Sequence, residues 1–337
     1  MDLFSTNVLT GVVNSLLTPS QFLLNRYFGQ IQTEASEEIH FDIIDKTRRL
    51  APFVSPVVEG KVVASQGHTT KTFKPAYLKP KTVFDSTRPL KRAAGEPIGG
   101  TMSPDQRIGM MIRRDLSDHK DQVDRRLEVM AAEALSTGAI TVTGDNYPTT
   151  NVNFGRNANL SVTLAGAALW SDPAVDPLDD LQDWSQTALQ ISGAMLRDVI
   201  MTVDVWKIFR KKASVQAELD RFRGSSTMET AAQIEEGGVY MGMIDGFNVF
   251  VYSGWYLDAA GVEQPILPAG TVLMAGAQIE GVQAFGAIRD EDAGYQALPL
   301  FSKSWVSKDP SVRYLLTQSA PLIVPTRVNA SFTASVL

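Results

Sequence analysis

The chain has 337 residues, 44% of them apolar, and carries a formal net charge of −6 at neutral pH. This length suits one large domain or two ordinary ones, while the acidic balance argues against a dedicated nucleic-acid-binding protein, which usually carries a basic domain. The absence of cysteine excludes disulfides and thiolate metal sites, and no apolar run of about eighteen residues predicts a membrane-spanning helix.

The N-terminal segment begins with an amphipathic pattern. In "STNVLTGVVNSLL", residues 5–17, pairs of apolar residues recur every four positions, which predicts a short helix with one apolar face. No lysine or arginine precedes Arg26, so the segment does not resemble a secretory signal. We expect this arm to pack on its own domain, and docking on a partner is the alternative.

A basic ribbon follows at residues 57–92. It contains eight basic and two acidic side chains, a local charge of +6, so that the rest of the chain carries −12. Beta-branched runs on both sides of residues 65–68 predict a hairpin, and prolines at 75, 80 and 89 confine its strands to a sheet edge or an isolated ribbon. We expect the ribbon to project from the subunit and to bury its lysines and aromatic rings on an acidic surface, that of a neighbouring copy.

The clearest predicted element is a long helix. Ser103 is the expected N-cap, Gln106 completes a capping box, and Gly138 supplies the stop. The apolar stripe includes Ile112, Leu116, Val123 and Leu127, with His119 as a packed, hydrogen-bonded member. At roughly 1.5 Å per residue the helix is about 50 Å long, which exceeds what one compact domain needs.

The remaining elements are shorter. Residues 139–155 predict a hairpin, and Asp176 is expected to cap a helix that runs to about Gly193. "DVIMTVDVW" predicts a buried strand, residues 210–224 a helix, and the Asp245-Gly246 turn a further hairpin. Residues 312–337 are too rich in Pro, Thr and Val for a helix and predict extended structure along the long helix.

The search for chemistry gives no catalytic, cofactor or metal site. His40, His68 and His119 lack metal-ligand spacing, and the chain has no phosphate-binding loop and no serine elbow. An acidic cluster surrounds the start of the helix at Asp176. It suggests either a divalent-cation or carboxylate-pair site or, as we favour, a cap with carboxylates complementing the helix dipole. The members of the cluster are Asp172, Asp176, Asp179, Asp180 and Asp183.

Seven blocks in collinear order carry a resemblance. They are "APFVSPVVEGKVV", "FKPAYLKPK", "RRDLSDHKDQVDRRLEVMAAEALSTGAITVTG", "DPLDDLQDW", "RGSSTMETA", "VYSGWY" and "TQSAPLIVP". In this order the chain resembles the major capsid proteins of lambda-like tailed bacteriophages from about residue 20 to its end. The resemblance implies an α+β chain with the Hong Kong 97-type capsid fold and a structural role, in which hexamers and pentamers close into an icosahedral shell around the phage genome.

The resemblance also implies a division of the chain. Residues 1–50 are the N-terminal arm, 51–95 the extended β-hairpin loop, 96–158 the peripheral domain with its long spine helix, 159–300 the axial domain, and 301–337 the C-terminal strands of the peripheral domain. We expect the extended loop to contribute the subunit interface and the apolar stripe to pack the spine helix. The expected loop residues are Lys61, His68, Lys71, Phe73, Lys74, Tyr77, Lys79, Lys81, Phe84 and Arg88.

The expected partners follow from the same resemblance. They are other copies of the chain, a separate scaffolding protein, the portal, a decoration protein and, by non-specific proximity, packaged double-stranded DNA. The protein is expected to assemble in the host cytoplasm and to reside in the virion, with no membrane contact.

The sequence leaves three alternative hypotheses about function. An encapsulin-like nanocompartment shell protein shares the fold and differs in what the particle encloses. A hydrolase would depend on Asp179 and Asp180. A nucleic-acid-binding module would bind DNA as a soluble subunit with steep salt dependence.

Overall fold

The structure is a computed structural model of the whole chain. It describes residues 6, 9–10, 12, 21–44, 50–51, 53–54, 56–57, 59, 62, 68–84, 102–144, 147–223, 234–235, 237–258, 260–309 and 312–337. Of the predicted N-terminal helix, the four described residues before position 21 have helical backbone. The rest of that prediction lies outside the described residues.

Helices and strands alternate irregularly along the chain, as expected for an α+β protein. The helices are α1 (Phe22–Tyr27), α2 (Pro104–Thr137), α3 (Pro177–Ser192), α4 (Val203–Phe209) and α5 (Ala213–Arg223). The strands before α3 are β1 (Gln30–Glu34), β2 (Ile39–Ile44), β3 (His68–Phe73), β4 (Lys81–Phe84), β5 (Ala139–Gly144), β6 (Tyr147–Asn153) and β7 (Ser161–Thr163). The strands after it are β8 (Asp198–Thr202), β9 (Ile234–Glu235), β10 (Gly238–Ile244), β11 (Phe247–Tyr252), β12 (Trp255–Leu257), β13 (Glu263–Pro265), β14 (Thr271–Ala275), β15 (Gly281–Gly286), β16 (Phe301–Ser307), β17 (Val312–Gln318), β18 (Pro321–Pro325) and β19 (Ser331–Ser335).

A seven-stranded mixed sheet forms the centre of the main core, in the order β7-β19-β14-β8-β11-β10-β9. Every residue of β8 and β14 is buried, because both faces of these central strands are covered. Helix α3 packs on β19, where Trp184 stacks on Phe332 with ring centroids 5.3 Å apart. The C-terminal strand thus lies in the same sheet as strands from residues 161–275.

The spine helix, α2, is capped as predicted. The Ser103 hydroxyl accepts the Gln106 N–H and the Gln106 side chain accepts the Ser103 N–H, while Gly138 ends the helix in the left-handed conformation at φ 69°. Its apolar stripe is buried in two clusters. Ile112 and Leu116 pack with Phe84 and Leu315, whereas the C-terminal half of the stripe joins the main core.

Two three-stranded sheets lie beside the spine helix. One has the order β1-β15-β18, with β1 parallel to β15, and the other is the antiparallel sheet β16-β17-β4. The spine helix contacts β17, β18 and β19, so the extended C-terminal region runs along it as expected. The predicted hairpins β5–β6 and β10–β11 are confirmed, the latter with Asp245 and Gly246 in its turn.

One predicted element is wrong in part. The strand in "DVIMTVDVW" ends at Thr202, and the following residues form helix α4. The strand is only five residues long, Asp198–Thr202. Because a short run of apolar residues does not by itself distinguish a strand from a helix, the sequence pattern did not show where the strand ends. The Asp204 carboxylate accepts the Gly270 N–H at 2.7 Å, which fixes the first turn of α4 against the sheet.

Candidate assembly surface

Residues 68–84, which we call the strap, pair with two strands of their own subunit. Strand β3 pairs antiparallel with β2 along its whole length, and β4 pairs with β17. Most of the first strand and the turn of the hairpin that we predicted around residues 65–68 lie outside the described residues, and its second strand, β3, has β2 as its partner. Phe73, the last residue of β3, and Phe84, the last residue of β4, are buried. Our expectation that the whole ribbon projects from the subunit is therefore wrong for residues 68–84. The physical reason is that β2 and β17 each offer an open strand edge. The prolines at 75 and 80 lie between β3 and β4, where they do not obstruct this pairing.

The lysines of the strap also contact their own chain. Lys71 donates from Nζ to the Asn153 carbonyl oxygen at 2.7 Å, and Lys74 forms an ion pair with Glu37. Lys81 Nζ lies 3.9 Å from the centroid of the Tyr314 ring. Lys79 Nζ lies 4.9 Å from the centroid of the Tyr77 ring. We expected these lysines to contact a neighbouring copy, but part of their positive charge interacts with groups of their own subunit.

His119 joins the strap, the spine helix and the C-terminal strands. Its Nε2 lies 2.6 Å from the Thr82 hydroxyl and its Nδ1 lies 3.1 Å from the Thr317 hydroxyl. Burial lowers the pKa of His119 below its ordinary value, although Asp115 and Asp118 act in the opposite direction. The prediction of a packed, hydrogen-bonded histidine is confirmed.

The N-terminal arm is fixed to the spine helix by a buried carboxylate that the sequence analysis missed. Glu128 accepts the backbone N–H groups of Leu23 and Leu24, each at 2.9 Å, and the Tyr252 hydroxyl at 2.9 Å. Burial raises the pKa of Glu128, and these three hydrogen bonds oppose that shift. The available signal was a charged residue inside the "LEVMAAEAL" run, where a helix that is apolar on nearly all sides predicts burial.

Several large apolar side chains are exposed on the subunit. Leu50, Phe53 and Val57, just before the strap, are 95%, 106% and 93% exposed. A second group, Trp255, Leu257 and Val262, lies on and beside the β12–β13 hairpin. Large apolar side chains that are exposed in groups favour contact with other protein chains.

The structure describes the side chains of seven of the ten expected loop residues. The structure brings Lys71, Phe73, Lys74, Tyr77, Lys79, Lys81 and Phe84 together in the strap. Lys61, the side chain of His68, and Arg88 lie outside the described residues. All four stripe residues of the spine helix are buried, but whether the strap residues contact a neighbouring copy stays a prediction.

The acidic cluster around α3 has structural partners. Asp176 accepts the Leu178 N–H as the N-cap, and Asp180 accepts the Trp170 indole N–H at 2.8 Å. Within the described part of the chain, no three histidine or acidic side chains are grouped as metal ligands. None of the described helices contains the apolar run that a membrane-spanning helix requires.

Comparison with known proteins shows which protein family this chain resembles. The family model of phage major capsid protein E matches residues 5–336. The chain is 30% identical to the major capsid protein of Escherichia phage N15 and 29% identical to that of Escherichia phage lambda, in each case over 333 residues and 96% of both chains.

Solved structures agree with this assignment at the level of the fold. The chain is similar to a crystallised prophage protein of Escherichia coli CFT073, with a TM-score of 0.73 and 22% identity over 98% of this chain and 99% of that one. It is also similar to the capsid of Ralstonia phage GP4, with a TM-score of 0.55 and 13% identity over 95% and 92%. The α+β capsid fold of Hong Kong 97 type is thereby confirmed, and the chain belongs to the phage major capsid protein E family.

Proposed function

We propose that this chain is the major head protein of a lambda-like tailed phage, and that its copies assemble as hexamers and pentamers into the icosahedral shell that encloses the genome. The observation that carries this conclusion is the family match across residues 5–336, which covers arm, spine helix and C-terminal strands in one alignment. The role is structural, not enzymatic, and the protein resides in the virion.

We also propose a division of labour along the chain. Residues 1–50 are the arm, 51–95 the extended loop, 96–158 and 301–337 the peripheral domain, and 159–300 the axial domain. Two strand pairings join the axial domain to the C-terminal strands of the peripheral domain: β15 with β18 and β14 with β19. These pairings support a body that moves as a unit during assembly, with the extended loop as its outlying part.

The extended loop is the proposed source of contacts between copies. Its strap is anchored at Phe73 and Phe84, so the parts that remain to cover a neighbour are the segments before and after the strap. Lys74, Lys79 and Lys81 are exposed, so the strap also presents positive charge on the subunit surface. Because the rest of the chain is acidic, a neighbouring copy supplies the complementary surface.

Further partners belong to this proposal. A scaffolding protein would set the shell curvature, a portal would occupy one vertex, a decoration protein would bind the outer surface, and packaged double-stranded DNA would lie against the inner one. Assembly in the host cytoplasm agrees with a chain that needs no disulfide.

Negative-stain electron microscopy of the purified protein tests the proposed shell. We expect closed, uniform icosahedral particles when the chain is expressed alone or with the other head proteins. Particles filled with a protein cargo instead of DNA during phage growth would support the encapsulin-like alternative. Subunits that stay monomeric under all these conditions would contradict both.

A further inference from the structure

Helix α1 of the N-terminal arm is bound both to the spine helix and to the central sheet. On the side of the spine helix, the Glu128 carboxylate accepts the N–H groups of Leu23 and Leu24. On the side of the sheet, Arg26 donates from Nε to the Asp198 carboxylate at the start of β8, at 2.8 Å. Two carboxylates from different parts of the subunit therefore hold the same short helix.

Aromatic contacts complete the attachment of α1 to the sheet. The Phe22 ring lies 5.2 Å from the Phe250 ring and 6.0 Å from the Tyr252 ring, measured between centroids. The Arg26 guanidinium lies 4.4 Å from the centroid of the Phe250 ring. A helix of six residues is not stable on its own, so α1 exists only while these contacts hold it.

A third carboxylate lies beneath the arm without a comparable set of partners. Asp124 is one helical turn before Glu128 and is only 5% exposed. Among the described residues, its Oδ2 has no hydrogen-bond donor, and the Lys120 Nζ is 3.8 Å away, beyond hydrogen-bond distance. The Gln21 side chain of the arm donates to the Asp124 carbonyl oxygen at 3.3 Å, so the arm lies directly against this turn.

The two acidic side chains of the spine helix differ in how their charge is compensated. Like charges four residues apart on a helix repel each other, and here both are buried. Glu128 has three donors, whereas Asp124 has the distant Lys120 alone. Burial raises the pKa of Asp124 to about 6 and Asp121 adds to this shift, while Lys120 and Gln21 oppose it. A proton is therefore bound more readily at Asp124 than at an exposed aspartate.

The other ionisable groups around α1 keep their charge between pH 5 and pH 8 or face elsewhere. Arg26 and Asp198 form an ion pair. Burial raises the pKa of Tyr27 and of Tyr252 above the ordinary value of 10, so both hydroxyls stay protonated. His119 titrates on the same spine helix, but its ring nitrogens face the strap and the C-terminal strands.

We propose that α1 is a proton-dependent clasp, in which the arm is held most tightly when Asp124 is protonated and opens more often when Asp124 and Glu128 are both ionised. Opening releases the arm helix from the spine helix and from the central sheet together, because the same six residues contact both. The clasp lies within one subunit and does not depend on the proposed shell function.

The direction of the effect follows from the two states of Asp124. When the arm opens, the carboxyl group reaches water and its pKa returns toward the ordinary value of 3.8. The docked arm therefore binds the proton more readily than the open arm does, and docking strengthens as the pH falls through about 6. With these two values, the equilibrium constant for opening should be roughly tenfold smaller at pH 5 than at pH 7.5.

Native-state hydrogen exchange of soluble subunits tests the clasp. The measured quantities are the protection factors of the Leu23 and Leu24 amides, corrected for intrinsic exchange, with the amide of Val199 in the buried strand β8 as the reference for global unfolding. Relative to that reference, we expect protection at Leu23 and Leu24 to rise about tenfold from pH 7.5 to pH 5. Protection that is constant over this range, or that falls in acid, overturns the proposal.

The variant Asp124→Asn removes the titrating group and nearly keeps its shape. We expect it to retain high protection at Leu23 and Leu24 at both pH values. The matched control is Asp118→Asn, at an exposed position of the same helix, which should keep the pH dependence of the wild type. A dependence that persists in Asp124→Asn assigns the effect to Glu128 and overturns the proposal, as does a control that loses it.

A direct titration decides the matter if Asp124→Asn does not fold. Carbon-13 NMR of wild-type subunits labelled at the aspartate carboxyl groups follows Asp124 itself, and we expect a midpoint near pH 6. A midpoint in the ordinary range near 3.8 would show that docking of the arm does not depend on a proton at this residue.

Discussion

The Glu128 carboxylate lies 2.9 Å from the Tyr252 hydroxyl, which joins the spine helix to the central sheet across 124 positions of sequence. The same carboxylate accepts the N–H groups of Leu23 and Leu24 in the first turn of α1, so one side chain fixes the arm, the helix and the sheet together. A change at Glu128 therefore acts on all three.

Replacing Glu128 by Ala should destabilise the subunit by about 3 kcal/mol or more, because three buried donors lose their acceptor at about 1–3 kcal/mol each. Urea unfolding of soluble subunits measures this loss, and hydrogen exchange at Leu23 and Leu24 should accelerate. Glu291→Gln, an exposed control, should change stability by less than about 0.5 kcal/mol. An equally small effect at Glu128 would show that the arm is held by apolar contacts alone.

Truncating the apolar stripe of the spine helix should destabilise the subunit in both of the clusters that the stripe joins. Leu116→Ala and Leu127→Ala remove side chains that are 0% and 4% exposed, so each should cost about 2–5 kcal/mol and lower particle yield. Arg114→Ala, at an exposed position of the same helix, is the control. Thermal unfolding of the three variants provides the comparison, and losses near those of the control would contradict the packing.

Acid should weaken the contact between strap and spine helix. The pKa of His119 is lower in the folded state than its ordinary value of 6.5, so the unfolded chain binds the proton more readily. Its contribution to stability is complete above about pH 6.5 and is lost as the pH falls through that range toward the folded pKa.

The variant His119→Gln isolates this effect from the other titrating groups, including Glu128, whose raised pKa acts with the opposite sign. Between pH 7.5 and pH 5 the wild type should lose more stability than the variant does. Parallel stability curves for the two proteins would mean that His119 does not titrate in this window.

Arg156 closes the C-terminal end of the spine helix. Its guanidinium donates to the carbonyl oxygens of Leu135, Ser136, Leu160 and Ser331, at distances from 2.6 to 3.1 Å. Burial lowers its pKa to about 10, so it stays charged at neutral pH. Arg156→Met should cost more than about 2 kcal/mol by leaving buried acceptors unpaired, whereas Arg210→Met at an exposed position should not. Calorimetry of both variants tests the difference.

The buried rings of the strap determine what a loop deletion should do. Removing residues 62–86 deletes Phe73 and Phe84, whose rings are buried and cost about 3–5 kcal/mol each when truncated. We therefore expect an unstable subunit. Replacing residues 51–59 by a Gly/Ser segment of equal length should keep the melting temperature and abolish shells. Calorimetry with electron microscopy checks both, and normal shells from the second variant would contradict the role of the loop.

Local signals in the sequence determined the elements whose ends depend on neighbouring residues. Ser103, Gln106 and Gly138 bound the spine helix because capping hydrogen bonds join groups only a few positions apart. Asp245-Gly246 fixed a hairpin turn for the same reason, and the three- and four-residue spacing of the stripe placed Leu116 and Leu127 in the core.

Only the tertiary structure decided which distant segments meet. The pairing of β3 with β2 and of β4 with β17, the arm helix on Glu128, and Arg156 at the end of the spine helix all join residues whose sequence separation leaves no local pattern. A strand edge accepts any extended segment through backbone hydrogen bonds, so composition did not reveal whether the strap would pair within its own subunit or with a neighbour. Residues 68–84 pair within their own subunit, because Phe73 and Phe84 are buried there in two apolar clusters.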